Sequence, residues 1–335
     1  GIFLCLISIG LLSCNKSGGT PPALTPTNLV VNATVNPDNT GNVSFSATAT
    51  NAVEYEYDFG NGVFENIPSG LVQHKYNATG NYTVKVTAKS SSGAAISKSI
   101  DITVTVAMKL VWSDEFDTPG APNSNKWGYD IGASGWGNNE SQYYTDRRDN
   151  SYVTDGTLKI VAKKEAFSSS QYTSARLLSK GKYSFKYGKV EVRAKLPVGV
   201  GTWPAIWMLG DNISTVSWPA CGEIDIMEHV GRDLNKIISA FHYPVYFGGN
   251  AKVATTMVPT ATTEFHVYKL EWTPVSMQIF VDDKLFHTLP NSPSIPYNQN
   301  FFLILNIAMG GNLGGPIDPS FTSTTFEIDY VRVYQ

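Results

Sequence analysis

Three carboxylates stand close together in Gly222-Glu223-Ile224-Asp225-Ile226-Met227-Glu228-His229. Their alternation with apolar residues predicts a β-strand with one polar face. Glu223 and Asp225, two positions apart, point to the same side. Glu228 follows Glu223 by five positions and in an unbroken strand would face the other way. One extra residue at Ile226-Met227 makes a bulge that returns Glu228 to the polar face, with Ile224 and Ile226 packed behind it. Crowded negative charges raise one another's pKa. Such a surface can keep one carboxylate ionised as a nucleophile and another protonated near neutral pH as a general acid, the pair that hydrolysis of a glycosidic bond needs. The plainer alternative is a solvated strand face whose acids meet Lys or Arg.

Just upstream lie Gly201-Thr202-Trp203-Pro204-Ala205-Ile206-Trp207-Met208-Leu209 and Trp218-Pro219-Ala220. These tryptophans could be core residues. An indole is also a platform for the C–H face of a sugar, and the Pro and Gly around them argue for strand ends and loops. Trp203 and Trp218 are read as sugar platforms, and Trp207 stays open between site and core.

The elements that must position these residues are strands. In 335 residues, aromatics make up 12% and charged residues only 16%, and Gly and Pro are frequent. That is the profile of an all-β, extracellular type of chain with room for two domains. A formal net charge of −3 argues against nucleic acid or strongly anionic polymers as partners. The apolar segment Gly1 to Cys14 is too short to span a bilayer comfortably and reads as a truncated signal segment. Leu11-Leu12-Ser13-Cys14 resembles a bacterial lipoprotein signal, which implies a lipid anchor on Cys14 and a periplasmic or cell-surface location. Residues 15–26, rich in Ser, Gly, Thr and Pro, form a flexible tether. Cys221 then has no disulfide partner and no evident base, so it is read as a small packing residue.

Residues 27–106 contain short alternating runs such as Val43-Ser44-Phe45-Ser46-Ala47 and Tyr82-Thr83-Val84-Lys85-Val86-Thr87, as expected of a small β-sandwich. Tyr57-Asp58-Phe59-Gly60-Asn61-Gly62, with His74-Lys75-Tyr76 and Gly80-Asn81-Tyr82-Thr83-Val84, resembles the PKD (polycystic kidney disease) domain, with Asn61 for the usual Asp. The resemblance implies a spacer or interaction module, and His74 is read as a turn or core residue. From 107 to 335 further strands follow, at Lys182–Tyr187, Val190–Ala194, Tyr268–Trp272, Met277–Val281 and Phe301–Ala308, and Ile328–Tyr334 closes the chain. No long amphipathic helix is evident, so a large antiparallel sandwich or jelly roll is expected.

Glu223-Ile224-Asp225-Ile226-Met227-Glu228 resembles the signature of glycoside hydrolase family 16 in its bulged form. The likeness extends to Trp136-Gly137-Asn138-Asn139-Glu140, Tyr172-Thr173-Ser174-Ala175-Arg176-Leu177, Arg193-Ala194-Lys195-Leu196-Pro197 and Asp329-Tyr330-Val331-Arg332-Val333-Tyr334, and points to the laminarinase branch. It implies a concave β-jelly roll with an open groove, acting on β-1,3-linked glucan by retaining double displacement, with mixed β-1,3/1,4-glucan as the alternative substrate. Carried over, Glu223 is the nucleophile, Glu228 the acid/base and Asp225 the residue that tunes the pair. Retention implies carboxyl groups about 5–5.5 Å apart. Arg176 and Asn138 match sugar-binding positions. His242 falls where the family often lines the cleft, although a lone strand histidine is as readily structural.

The family also implies no cofactor for catalysis but a structural Ca²⁺, held by Glu115, the carbonyl of Gly156 and Asp329. These acids could equally pair with Lys or Arg. Leu313 departs from the family pattern, in which many laminarinases carry Trp. A transglycosylase, a galactan hydrolase and a non-catalytic carbohydrate-binding jelly roll are the competing functions, and a monomer is expected.

Overall fold

The computed structural model describes residues 24–335. The readings on the signal segment, Cys14 and most of the tether fall outside these residues. The chain divides into two compact units, which meet in sequence between Ala107 and Met108.

The first unit is a two-sheet sandwich. Strands Thr27–Val35, Asn42–Thr50 and Leu71–Lys75 form one sheet. Phe64–Ile67, Glu54–Asp58, Gly80–Lys89 and Ala95–Val104 form the other, in that spatial order. Alternate residues of these runs, among them Val43, Phe45, Tyr57, Val84 and Val86, build a separate core. The Tyr57–Gly62 turn is pinned by side chains. The Tyr57 hydroxyl donates to the Gly70 carbonyl at 2.8 Å, and the Tyr76 hydroxyl to that of Phe59 at 2.9 Å. His74 is buried and stacks on Phe59 with centroids 3.9 Å apart. Its Nε2 lies 2.9 Å from the Asn61 side-chain amide nitrogen, so this histidine is structural.

The second unit packs a ten-stranded sheet against a seven-stranded one. The seven strands carry the chemistry and are labelled here in chain order: β1 (Gly128–Tyr129), β2 (Arg176–Leu178), β3 (Thr202–Gly210), β4 (Glu223–Glu228), β5 (Lys236–His242), β6 (Lys252–Met257) and β7 (Phe301–Met309). Across the sheet they run β6-β5-β4-β3-β7-β2-β1. Their inward residues, including Ile206, Met208, Ile224, Phe241, Leu303 and Leu305, are fully buried against the other sheet. The outward residues between them are left for another purpose. β7 is buried along its whole length, as its nearly continuous apolar run predicts.

One expected strand is not there. Lys182–Tyr187 alternates well, yet the strand begins only at Gly188. Tyr183 instead stacks on Trp112 at 4.8 Å, and Phe185 makes a single bridge to Phe301. The aromatic side chains are buried without a continuous backbone ladder. Among the described residues the one α-helical turn is Gly311–Gly314.

Candidate active site

The extra residue in β4 is where the spacing requires it. Against β3, Ile206 faces Met227 and Trp207 faces Asp225, which leaves Ile226 without a partner. Against β5, Asp225 faces Ala240 and Glu228 faces Ile238, again one residue too many on β4. Ile224, Ile226 and Met227 all enter the core, and Glu223, Asp225 and Glu228 share the outer face of the sheet. Gly222 aims the strand: it turns at φ +78°, and a Cβ there would come within 2.9 Å of the Phe301 ring, so both the backbone and the space call for glycine.

Burial dominates the electrostatics. Asp225 is 4% exposed and Glu228 9%, and desolvation disfavours their charged forms. It pushes Asp225 up to about 8. Desolvation, with the Asp225 charge adding to it, pushes Glu228 up to about 8 as well, while a hydrogen bond from the Trp203 indole to Oε1 at 2.9 Å pulls the other way. Glu223 is also raised, by desolvation first and by Asp225 second, but Arg176 and His242 both act to lower it. It is the most open of the three. Burial thus favours a proton on all three carboxyls, and Arg176 and His242 are the groups that favour the charged form of Glu223.

His242 makes contact with the acids as well as lining the groove. Its Nε2 lies 3.1 Å from Asp225 Oδ2 and 3.7 Å from Glu223 Oε1. The Gly248 backbone N–H donates to Nδ1 at 3.1 Å. A ring nitrogen that accepts a hydrogen bond carries no proton, so the neutral ring is protonated on Nε2, the nitrogen nearer the carboxylates.

These pKa shifts have a consequence for folding. Asp225 and Glu228 ordinarily ionise near 3.8 and 4.5 and are raised to about 8 in the folded chain. Protonation therefore stabilises the fold. The contribution is complete below the ordinary values and is lost as the pH rises through about 8. The unfolding temperature of the full chain, followed by circular dichroism, is expected to fall between pH 5 and 8, and Asp225→Asn is expected to flatten that fall. A rise over the same interval, or an unchanged slope in the variant, would contradict this electrostatic account.

The acids lie on the floor of an open groove of about 730 Å³. All six residues expected to bind substrate line it: Trp203, Trp207, Trp218, Arg176, Asn138 and His242. Trp207 is a half-buried wall whose indole donates to Asn306 Oδ1 at 2.7 Å. The Arg176 guanidinium lies over both Trp136 and Trp207, 5.0 and 4.7 Å from the ring centroids, with its Nε 3.0 Å from an Asp130 oxygen. Leu313 is also on the wall.

Trp136, Glu140 and Asn306 are groove residues that the sequence did not single out. Glu140 and Asn306 belong to one hydrogen-bonded chain, and Trp136 packs on its Tyr144 with centroids 5.5 Å apart. Asn306 donates to the Tyr144 hydroxyl at 3.0 Å, and Tyr144 donates to Glu140 at 3.2 Å. Gln142 also donates to Glu140, at 2.6 Å. The available signal was the alternation of Asn138, Glu140 and Gln142 beside aromatics. Cys221 is buried in a small cluster with Leu178, Leu209, Phe302 and Ile304. Burial pushes its thiol up to about 11, which suits a packing residue.

The residues expected to hold calcium come together, but their carboxylates have other partners. Strand Ser323–Tyr334 pairs with both Leu110–Asp114 and Thr157–Phe167, so Glu115, Gly156 and Asp329 come from neighbouring segments. Both carboxylates, however, are engaged by arginine. Arg332 holds Glu115 through Nη2 at 2.7 Å and Nε at 3.1 Å, and Arg193 holds Asp329 at 2.6 Å. Both acids thus take the alternative that the sequence left open, as partners of arginine. Glu223, Asp225 and His242 do bring three donor atoms within 4.8 Å of one another, but Nδ1 of His242 accepts from Gly248, so Nε2 carries the proton and offers no lone pair to a cation.

Two glutamates on one face of a strand, an aspartate between them and indoles along an open channel are the equipment of an enzyme that cuts carbohydrate chains. Comparison with known proteins agrees. Residues 138–332 match Glycosyl hydrolases family 16 and residues 22–106 match the PKD domain. A beta-glucanase from Rhodothermus marinus is 47% identical over 243 residues, covering 68% of this chain and 85% of that protein. A glucan endo-1,3-beta-glucosidase from Cryptopygus antarcticus is 37% identical over 251 residues, covering 68% and 92%. The structure of the laminarinase from Rhodothermus marinus aligns with a TM-score of 0.66 at 47% identity, over 68% of this chain and 98% of that one. The chain belongs to glycoside hydrolase family 16 and carries a PKD domain ahead of the catalytic jelly roll.

Proposed function

We propose that the protein is an endo-acting β-1,3-glucanase that works with retention through a covalent glycosyl-enzyme. The bulge in β4 carries this reading, because it sets Glu223 and Glu228 on one face with Asp225 between them. In the first step the Glu223 carboxylate bonds to the anomeric carbon while Glu228 passes its proton to the departing glycosidic oxygen. In the second, Glu228, now ionised, takes a proton from water. The water oxygen bonds to the anomeric carbon and Glu223 leaves as a carboxylate. Asp225 supports Glu228 in the first step by raising its pKa. An open groove, rather than a closed pocket, admits the middle of a chain and so favours internal cleavage.

The preference for β-1,3 linkages is supported by the names of the relatives. Leu313 on the groove wall favours a second reading, mixed β-1,3/1,4-glucan, because it is smaller than the tryptophan of many laminarinases and leaves that edge less confined. Product analysis on laminarin and mixed-linkage glucan, side by side, tests both. Early short β-1,3 oligomers, first released as the β-anomer in proton NMR, are expected from laminarin. Activity confined to mixed-linkage glucan would move the specificity to the second reading, and an α-anomer would overturn retention.

A further inference from the structure

We propose that Phe247, with Trp218, forms an aromatic subsite for a sugar ring of the substrate at the Glu223–His242 end of the groove; this rests on the β-glucanase reading above. Trp218 lies in the segment that leads into β4, and Phe247 lies between β5 and β6. Glu223 pairs with His242 across β4 and β5, so both segments leave the sheet at the same edge. Arg176 lies elsewhere. Through Asn306 on β7 and Ala205 on β3 it is level with Glu228, on the other side of the acidic strand.

The two rings meet edge to face, with centroids 5.3 Å apart and planes at 82°. Trp218 is 41% exposed and Phe247 42%. Two large aromatics that stay this open beside a catalytic groove have a free face each, and a perpendicular pair makes a corner. A pyranose has the matching shape, with apolar C–H faces and a hydroxylated rim that the corner leaves in water. The corner is continuous with the reacting centre, because the Trp218 ring lies 5.9 Å from that of His242, and His242 touches the acids. A glucan chain running past Glu223 therefore meets Trp218 and Phe247 next.

Phe247 precedes Gly248, whose N–H fixes the His242 tautomer. Loss of Phe247 could in principle act through that bond, so the test separates binding from positioning. We would measure kcat/KM for laminarioligosaccharides of two to seven residues with the full chain, its Phe247→Ala variant and Phe247→Tyr. Wild type is expected to gain from each added residue until every subsite is filled. Phe247→Ala is expected to match it on the shortest substrates and to lose about 5- to 30-fold on those long enough to reach the corner, as for one lost stacked ring, with Phe247→Tyr restoring the loss. An equal loss at every length would overturn the subsite in favour of positioning through Gly248, and no loss at any length would overturn it outright.

Titration of laminarihexaose into Glu223→Gln, with and without Phe247→Ala, reads the same contact as affinity without turnover. Weaker binding in the double variant supports the subsite, and equal binding or none overturns it. Absence of wild-type cleavage, by contrast, would count against the β-1,3-glucanase reading alone.

Discussion

Glu228→Gln is expected to fold as wild type and to lose about 10²- to 10⁴-fold in kcat on β-glucan, the usual worth of a positioned general acid. The loss should depend on the leaving group. An aryl β-glucoside whose phenol departs without help should keep almost the wild-type kcat/KM, because glycosylation then needs only Glu223, while breakdown of the glycosyl-enzyme, which needs Glu228 as base, stays slow. The pH profile supplies a second reading. Glu228 is pushed up to about 8, so wild-type activity should fall as the pH rises through about 8 and the proton is lost. In the variant, assayed on the aryl substrate, that alkaline fall should be gone. Equal losses on both substrates, or an alkaline limb that persists, would remove Glu228 from the acid role.

Glu223→Ala should cost more, at least about 10⁴-fold in kcat, because no other group on the groove floor can form the glycosyl-enzyme. Azide supplied to this variant with an activated β-glucosyl donor should fill the vacated place and yield the α-glucosyl azide, identifiable by its anomeric proton coupling. A β-azide, or no rescue alongside retained turnover, would point to a different nucleophile. The loss of activity should come without a loss of stability. Glu223 is crowded by Asp225 and Glu228 and raised by burial, so removing its charge should leave the unfolding temperature unchanged or higher. Active sites commonly hold such unfavourable charge.

The catalytic strand was legible because two periodicities conflicted within it. A spacing of five between two glutamates makes sense on one face only if a residue is spare, and the apolar pair Ile226-Met227 was the place where a spare residue could be buried. The tryptophans were legible as groove residues from their Pro- and Gly-rich setting. Lys182–Tyr187 misled because alternation reports burial, not backbone pairing: Phe185 is buried and Tyr183 half-buried by aromatic stacking. Which partner takes up Glu115 and Asp329 was hidden for a different reason: Arg332 lies 217 positions from Glu115 and Arg193 lies on a strand beside Asp329. Glu140 and Asn306 were hidden because their role arises from contacts between segments more than 150 residues apart, which no local pattern carries.

The unpaired Ile226 gives the catalytic strand a counting rule. Deleting one residue there would leave every side chain in place chemically and yet turn Glu228 toward the core, and adding one would do the same to whatever follows it. Substitution can be graded in its effect, but a change of length in β4 is all or none. The segments that carry Trp218 and Phe247 have no such rule, since they leave the sheet and can lengthen or shorten without moving the acids. Variation in this architecture is thereby channelled: the reaction is held fixed by the parity of a single strand, and the choice of glucan is free to drift in the loops around it.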